Sequence, residues 1–294
     1  MILIADGGST KIDWCLLDGG AVVKRLASQG LNPCMLTRDE ITARLILDVR
    51  DELTPYADCL DDVYFYGAGC LPGQVSDTMA QALRPVVGEQ ARIHVSNDLI
   101  SAARAVCGTE AGIACILGTG SNSCYYDGRQ IVDNVPPLGF ILGDEGSGAV
   151  LGRQLLGAVL KRQLPPELCR EFLKAYDLDQ HAIIKRVYRT PAPNRFLASL
   201  APFLEKHLDV PRVRDIVTEQ FRLFFERNVA NYSEFGPSKV HFVGSIAYHY
   251  RDILREVADS LGYSIGRIIV SPMDGLIAYH TSAAAHSGDQ DTTH

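Results

Sequence analysis

The sequence predicts an α/β protein built from two similar domains. Three observations carry this expectation: a strand–turn unit that occurs twice, strands alternating with helices in the first half, and a mostly helical second half. In the first unit, Ile2 to Ala5 reads as an apolar strand and Asp6-Gly7-Gly8-Ser9-Thr10-Lys11 as a glycine-rich turn. Ile12 to Leu17 is a second strand, Asp18-Gly19-Gly20 a hairpin turn of the Asp-Gly type, and Ala21 to Leu26 a third strand. In the second unit, Ile113 to Leu117 is the apolar strand and Gly118-Thr119-Gly120-Ser121-Asn122 the turn. Ser123 to Tyr126 follows as a strand, Asp127-Gly128 as a hairpin turn, and Gln130 to Asp133 closes the unit. The two units lie about 110 residues apart, and such a repeat predicts two domains that each open with an antiparallel meander.

Between the units, Arg38 to Val49 reads as a helix and Val63 to Tyr66 as a strand running into Gly67-Ala68-Gly69. Ile93 to Val95 is a further strand that ends at Ser96-Asn97-Asp98, and a helix from Leu99 to Val106 follows with Asn97 or Asp98 as its N-cap. After Gly146, helices are expected over 147–162, 166–176, 179–187, 193–207, 210–232, 250–261 and 275–285, with strands at Val240 to Val243 and Gly266 to Val270. The expected domains are residues 1–109, joined by a C-terminal helix over 275–290, and residues 110–274. The hinge falls near Cys107 to Gly112, and the polar tail from Ser287 to His294 is expected to fray.

Composition narrows the function classes. A net charge of −7 without a basic run gives no electrostatic footprint for nucleic acid. No apolar run reaches the roughly 18 residues of a membrane span, and Met1 to Asp6 enters a strand without a basic region or cleavage site. The eight cysteines form no CxxC pair and several sit in apolar runs, the pattern of reduced core cysteines in a cytoplasmic protein. The eight histidines lack metal-ligand spacing, so no zinc site is expected.

The two glycine-rich turns are the chemical signal. Glycine lets backbone N–H groups approach an anion, and the Ser and Thr hydroxyls with Lys11 add donors and charge. Neither turn is a Walker loop or a dinucleotide fingerprint, because a strand rather than a helix follows. One such turn has a plain reading as a hairpin; two of them suit a clasp on a polyphosphate. Asp6, at a strand end beside the phosphates, suits Mg²⁺ held directly or through water, although an Asp can also cap its own turn. Asp98 is the candidate general base for an acceptor hydroxyl, with simple N-capping as its other reading. Asp144 and Glu145, in Gly143-Asp144-Glu145-Gly146-Ser147-Gly148, sit at an expected strand-to-helix junction. They suit a sugar hydroxyl or hydrated Mg²⁺, or only the positive end of the helix. Gly244-Ser245 suits the adenine and ribose of a nucleotide.

Together these segments resemble the sugar-kinase/heat-shock-chaperone/actin superfamily. Within it they look most like the N-acetylglucosamine kinase group, whose family also contains the ATPase activators of benzoyl-CoA reductase and 2-hydroxyacyl-CoA dehydratases. Asp6 to Asp13 with Trp14 is similar to the first phosphate motif and Leu117 to Asn122 to the second. Gly143 to Gly148 is similar to that group's GDEGS segment, Val243-Gly244-Ser245 to the adenosine motif, and Ser271 to Leu276 to the closing segment before the last helix. The resemblance implies an actin/ribonuclease H-like fold of duplicated domains with an ATP cleft between them. It implies Gly7, Gly8, Ser9, Thr10, Lys11, Gly118, Thr119, Gly120, Ser121, Gly244 and Ser245 as ATP-binding residues and Asp6 at Mg²⁺. It implies Asp98 as catalytic base, and Asn32, Asp98, Asn122, Gly139 and Asp144 at the sugar. The segment Pro136-Pro137-Leu138-Gly139-Phe140 departs from the Gly/Trp-rich stretch of the animal enzymes.

The expected activity is transfer of the γ-phosphoryl of MgATP to a hydroxyl, O6, of N-acetylglucosamine or glucosamine, in a protein free to form a homodimer. Two rivals belong to other classes. An ATPase activator would need cluster-facing cysteines, for which Cys107, Cys115 and Cys124 are the candidates. A non-catalytic sugar- or nucleotide-binding regulator would share the fold without the chemistry.

Overall fold

The computed structural model describes residues 1–8, 11–31 and 33–288. The chain divides into two compact units, residues 1–110 with 272–294, and residues 111–271.

In the first unit, β1 (Ile2–Gly7), β2 (Lys11–Asp18) and β3 (Ala21–Gln29) form an antiparallel meander, and β4 (Asp62–Gly67) and β5 (Arg92–Asn97) add in parallel. The order is β3-β2-β1-β4-β5. Central β1 is covered on both faces, which is why Leu3, Ile4 and Ala5 are all apolar and fully buried rather than alternating. Trp14 and Phe65 anchor this core, and α1 (Arg38–Leu45), closed at its start by a Thr37–Glu40 capping box, lies against it. The helix expected over Arg38 to Val49 continues from α1 as a π-helical stretch, Ile46–Arg50, then α2 (Asp51–Leu53) and a 3₁₀ turn, Thr54–Cys59. Helix α3 (Gln74–Val87) was not expected. It buries Met79, Ala82, Leu83, Val86 and Val87 on one face and carries Pro85 in its last turn. Helix α4 (Asp98–Cys107) leaves β5 directly.

The second unit repeats this plan. Strands β6 (Gly112–Leu117), β7 (Ser121–Tyr126) and β8 (Ile131–Asp133) form the meander, and β9 (Val240–Val243) and β10 (Ile265–Ile269) extend the sheet in parallel. The order β10-β9-β6-β7-β8 reads as the first sheet's order from the other edge. Helices α5 (Gly139–Leu142), α6 (Gly148–Leu160), α7 (Pro166–Ala175), α8 (Gln180–Tyr188), α9 (Pro193–Ala198), α10 (Ala201–Lys206) and α11 (Pro211–Arg227) intervene before β9. Helices α12 (Ser245–His249) and α13 (Arg251–Ser260) lie between β9 and β10. The core is aromatic, with Phe221, Phe224, Phe225 and Phe242 all fully buried.

Three further expectations are corrected. The helix expected over 210–232 ends at Arg227 and gives way to a 3₁₀ stretch, Val229–Phe235. The helix expected over 193–207 is two helices, because Pro202 in the first turn of α10 has no N–H to continue from α9. The junction before Asp144 is not strand to helix: the single turn α5 precedes it. The last helix, α14 (Met273–Gly288), belongs to the first unit, where Gly275 approaches the backbone of Ala105 so closely that a Cβ would stand 2.3 Å from its carbonyl oxygen. All eight cysteines are reduced. Cys107, Cys115 and Cys124 are buried, the setting of small apolar side chains rather than of cluster-facing thiolates.

Candidate functional site

In the first unit, three parallel strands end together. The register that pairs β1 with β4 and β4 with β5 puts Gly7, Gly67 and Asn97 level at their carboxyl ends, the edge of an α/β sheet where ligands bind. Asp6 precedes Gly7, and Asp98 follows Asn97 as the first residue of α4. Asn97, not Asp98, caps that helix: its side-chain oxygen accepts the N–H of Ile100 at 2.9 Å. The Asp98 carboxylate is therefore not consumed as the cap. It is half-buried, and loss of hydration raises its pKa against the opposing pull of the backbone N–H groups of Asp98 and Leu99.

Asp6 accepts a hydrogen bond from Ser101 Oγ at 2.9 Å. Burial pushes its carboxyl up to about 7; Ser101 lowers it, and the charges of Asp98 and Asp13 raise it further. Two carboxylates that resist ionising together are a place for a cation. Among the described residues no group of three His, Cys, Asp or Glu could hold a metal ion. Mg²⁺ still fits Asp6, because it takes one or two carboxylates and completes its shell with phosphate oxygens and water.

The end of β1 leaves little room for side chains. A Cβ on Gly7 would meet Phe65 Cζ and the Tyr66 carbonyl at 3.1 Å, so any larger residue there would make the β1–β4 contact give by a few tenths of an ångström. A Cβ on Gly8 would find only the Lys11 carbonyl, at 3.4 Å. Lys11 is exposed and its ammonium pairs with Asp13 at 2.5 Å. Ser9, Thr10 and Asn32 lie outside the described residues.

The second unit gathers the remaining candidates. Gly118 N–H donates to the Gly120 carbonyl, closing the turn, and the first amides of α6 bond to it: Gly148 to the Gly118 carbonyl at 2.8 Å and Ala149 to the Thr119 carbonyl at 3.1 Å. Gly244, at φ +124°, lies against the same turn; a Cβ there would stand 2.3 Å from the Leu117 carbonyl, and Ser245 opens α12 beside it. Ser121 and Asn122 begin β7, where Asn122 Oδ1 accepts from Ser123 N–H and from Asn134 Nδ2, both at 2.9 Å.

Asp144 is buried and held at φ +54°, a left-handed conformation that Asp tolerates better than most residues. Burial pushes its carboxyl up to about 6; the backbone N–H groups of Ser121 and Gly139 bond to it and lower it, while Glu145 raises it. Gly139 (φ +74°) thus serves this carboxylate through its backbone. Glu145 turns away to a different task. It accepts from Arg227 at 2.9 Å and from Asn228 Nδ2 at 3.4 Å.

Sequence reasoning missed Ser101 and the Glu145–Arg227 pair. Ser101 had a faint signal, since it stands three residues after Asp98 on a helix and so shares its face. Arg227 had none, being 82 residues from its partner.

No family model matches the sequence, and no curated protein does. Solved structures do. A protein of Porphyromonas gingivalis provisionally assigned as an N-acetylglucosamine kinase is 48% identical, with a TM-score of 0.92 over 96% of this chain and 99% of that one. A second protein with the same provisional assignment, from Chromobacterium violaceum, has a TM-score of 0.70 at 19% identity over 95% of this chain and 98% of that one. A protein of Cytophaga hutchinsonii provisionally assigned as a sugar kinase reaches 0.55 at 13% identity over 97% of this chain and 99% of that one. The last two share the fold; the first shares fold and nearly half its residues along the whole length. With two sheets of actin-like order carrying paired carboxylates and two glycine turns, the chain belongs to the N-acetylglucosamine kinase family of ATP-dependent sugar kinases.

Proposed function

We propose that the protein transfers the γ-phosphoryl group of ATP to O6 of N-acetylglucosamine or glucosamine, in the cytoplasm. The observation that carries the reading is the placement of Asp6 and Asp98 on the carboxyl edge of one sheet, with the helix cap supplied by neighbouring Asn97. The assignment of the 48%-identical relative favours the amino sugar.

Each group then has a task. Asp98 accepts the proton of the attacking hydroxyl, and its desolvated carboxylate is a better base than one in water. Phosphoryl transfer is loose and the proton moves late, so Asp98 also aims the hydroxyl at phosphorus. The two glycine turns, at Gly7-Gly8 and at Gly118-Thr119-Gly120-Ser121, let the chain come up to the phosphates, and Gly244 with Ser245 takes the nucleoside. Ser9, Thr10 and Lys11 add donors and charge at the first turn. Asp6 would hold Mg²⁺, whose chemistry here is to neutralise charge on the β- and γ-phosphates. Asp144, oriented by the amides of Ser121 and Gly139, accepts sugar hydroxyls, with Asn32, Asn122 and Gly139 beside it.

Coupled measurement of ADP release with a panel of hexoses, hexosamines and muramic-acid derivatives tests the reading. The highest kcat/KM is expected for N-acetylglucosamine or glucosamine, with phosphorus–proton coupling in the product's NMR spectrum placing phosphate on C6. A neutral hexose preferred over both amino sugars, or a product phosphorylated elsewhere, would overturn it.

A further inference from the structure

Helix α4 bears on the site twice. Asp98 is its first residue, and one turn later Ser101 donates from Oγ to Asp6 Oδ1 at 2.9 Å, across 95 residues of sequence. Ser101 is fully buried, and its helix neighbours are Ala102, Ala103 and Ala105, small residues that let α4 approach the sheet. Alanine would fill position 101 as well and favour the helix more. A buried helical serine ordinarily bonds back to a carbonyl one turn earlier; here the hydroxyl reaches a carboxylate on β1 instead.

We propose that Ser101 is a positioning residue that ties the metal-facing carboxylate of Asp6 to the helix that carries Asp98. The inference rests on the kinase reading above. Asp98 is fixed to α4 covalently, and this hydrogen bond fastens the Asp6 carboxylate to the same helix. Occupying Oδ1 restrains the rotation of the carboxylate and would leave Oδ2 for the cation. The two acidic groups are thereby held in one frame. Ser101 does not touch nucleotide or sugar; it acts through Asp6.

The test is binding of ADP to the whole chain with and without Mn²⁺, which replaces Mg²⁺ and is read by electron paramagnetic resonance. Ser101→Ala should weaken Mn²⁺–ADP roughly tenfold or more, the effect of losing a hydrogen bond to a charged group. Metal-free ADP should bind within about twofold of the parent, because no phosphate or base contact has changed. Ser101→Thr, which keeps the hydroxyl, should restore the metal dependence. Should the alanine variant fail to fold, Ser101→Cys keeps the volume and donates weakly, and should show the same selective loss. Unchanged Mn²⁺–ADP binding in a folded variant lacking the hydroxyl would overturn the proposal. So would an equal loss with and without metal, which is what a purely structural serine gives. Neither arm uses sugar, so the parent's turnover on the sugar panel tests the kinase reading separately. A parent that binds no nucleotide overturns both.

Discussion

A Cβ on Gly120 would stand 2.9 Å from Asp144 Oδ2. The second glycine turn therefore meets the carboxylate proposed for the sugar, and a substitution at Gly120 perturbs both functions together. Gly118 and Gly8 behave differently. A Cβ on Gly118 meets nothing within 4 Å, and one on Gly8 only an ordinary contact at 3.4 Å.

These three glycines give the first prediction. Gly118→Ala and Gly8→Val should fold normally and raise KM for MgATP, by roughly tenfold for each phosphate hydrogen bond lost, with little change in KM for sugar. Gly120→Ala should raise both constants, because Asp144 must give way. Steady-state kinetics with each substrate varied separates the patterns. Equal effects of Gly118→Ala and Gly120→Ala on sugar KM would break the link between the turn and Asp144.

The raised carboxyls of Asp6 and Asp144 give the second. Each is ionised above about 4 in the unfolded chain and holds its proton to about 7 and about 6 in the fold. The folded state therefore binds more protons between about 4 and 7, and stability from these groups falls as pH rises through that window. Asp144→Asn removes the burdened charge, and Asn also tolerates the left-handed backbone. Its Tm relative to the parent should therefore rise more at pH 8 than at pH 5. Sugar binding should move the other way, weakening in the parent as pH drops below about 6. Thermal melts of both proteins at the two pH values, in the absence of ligand, check the sign.

The repeat at Ile2 and Ile113 is a local pattern, and it gives the antiparallel meander that opens each sheet; the parallel strands β4, β5, β9 and β10 were read from their own apolar runs, and the order of the sheets from neither. Asp98 was legible as a strand-end acid, but the choice between Asn97 and Asp98 as cap depends on side-chain direction, which spacing does not encode. Helix α3 was legible and overlooked: Met79, Ala82, Leu83 and Val86 recur at helical spacing. Pro85 lies inside it without an N–H to donate, and burial of that apolar face outweighs the lost bond. Glu145 looked like a ligand because it adjoins Asp144. Its partner Arg227 comes from α11, and contacts between distant elements are set by packing.

That pair gives the third prediction. Glu145→Gln should cost about 1–2 kcal/mol of stability, the range for a charge-assisted bond whose other partner, Arg227, is exposed and can return to water. Its Mg²⁺ dependence should match the parent's, because the carboxylate is committed to Arg227 and Asn228. Urea unfolding with a Mg²⁺ titration of activity reads both. A steep loss of Mg²⁺ affinity at normal stability would move Glu145 into the metal site.

The last prediction concerns Asp98 and the residue before it. Asp98→Asn keeps size and hydrogen-bonding shape but removes the charge that accepts the proton. General-base catalysis is worth about 10²–10⁴-fold, so kcat should fall by that order. MgATP affinity should change little, because the glycine turns and Asp6 are untouched. Asn97→Ala is the complementary variant. It deletes the oxygen that accepts Ile100 N–H and should cost about 1 kcal/mol of stability, as the loss of a cap does. Its kcat should stay within a few-fold of the parent as long as α4 holds its place. Capping and base function thus fall on adjacent residues that can be separated by two measurements, Tm and kcat. Had Asp98 been the cap, Asp98→Asn would be nearly silent in both, since Asn caps as well as Asp. A kcat for Asp98→Asn within about threefold of the parent, far short of the general-base range, would remove Asp98 from the mechanism.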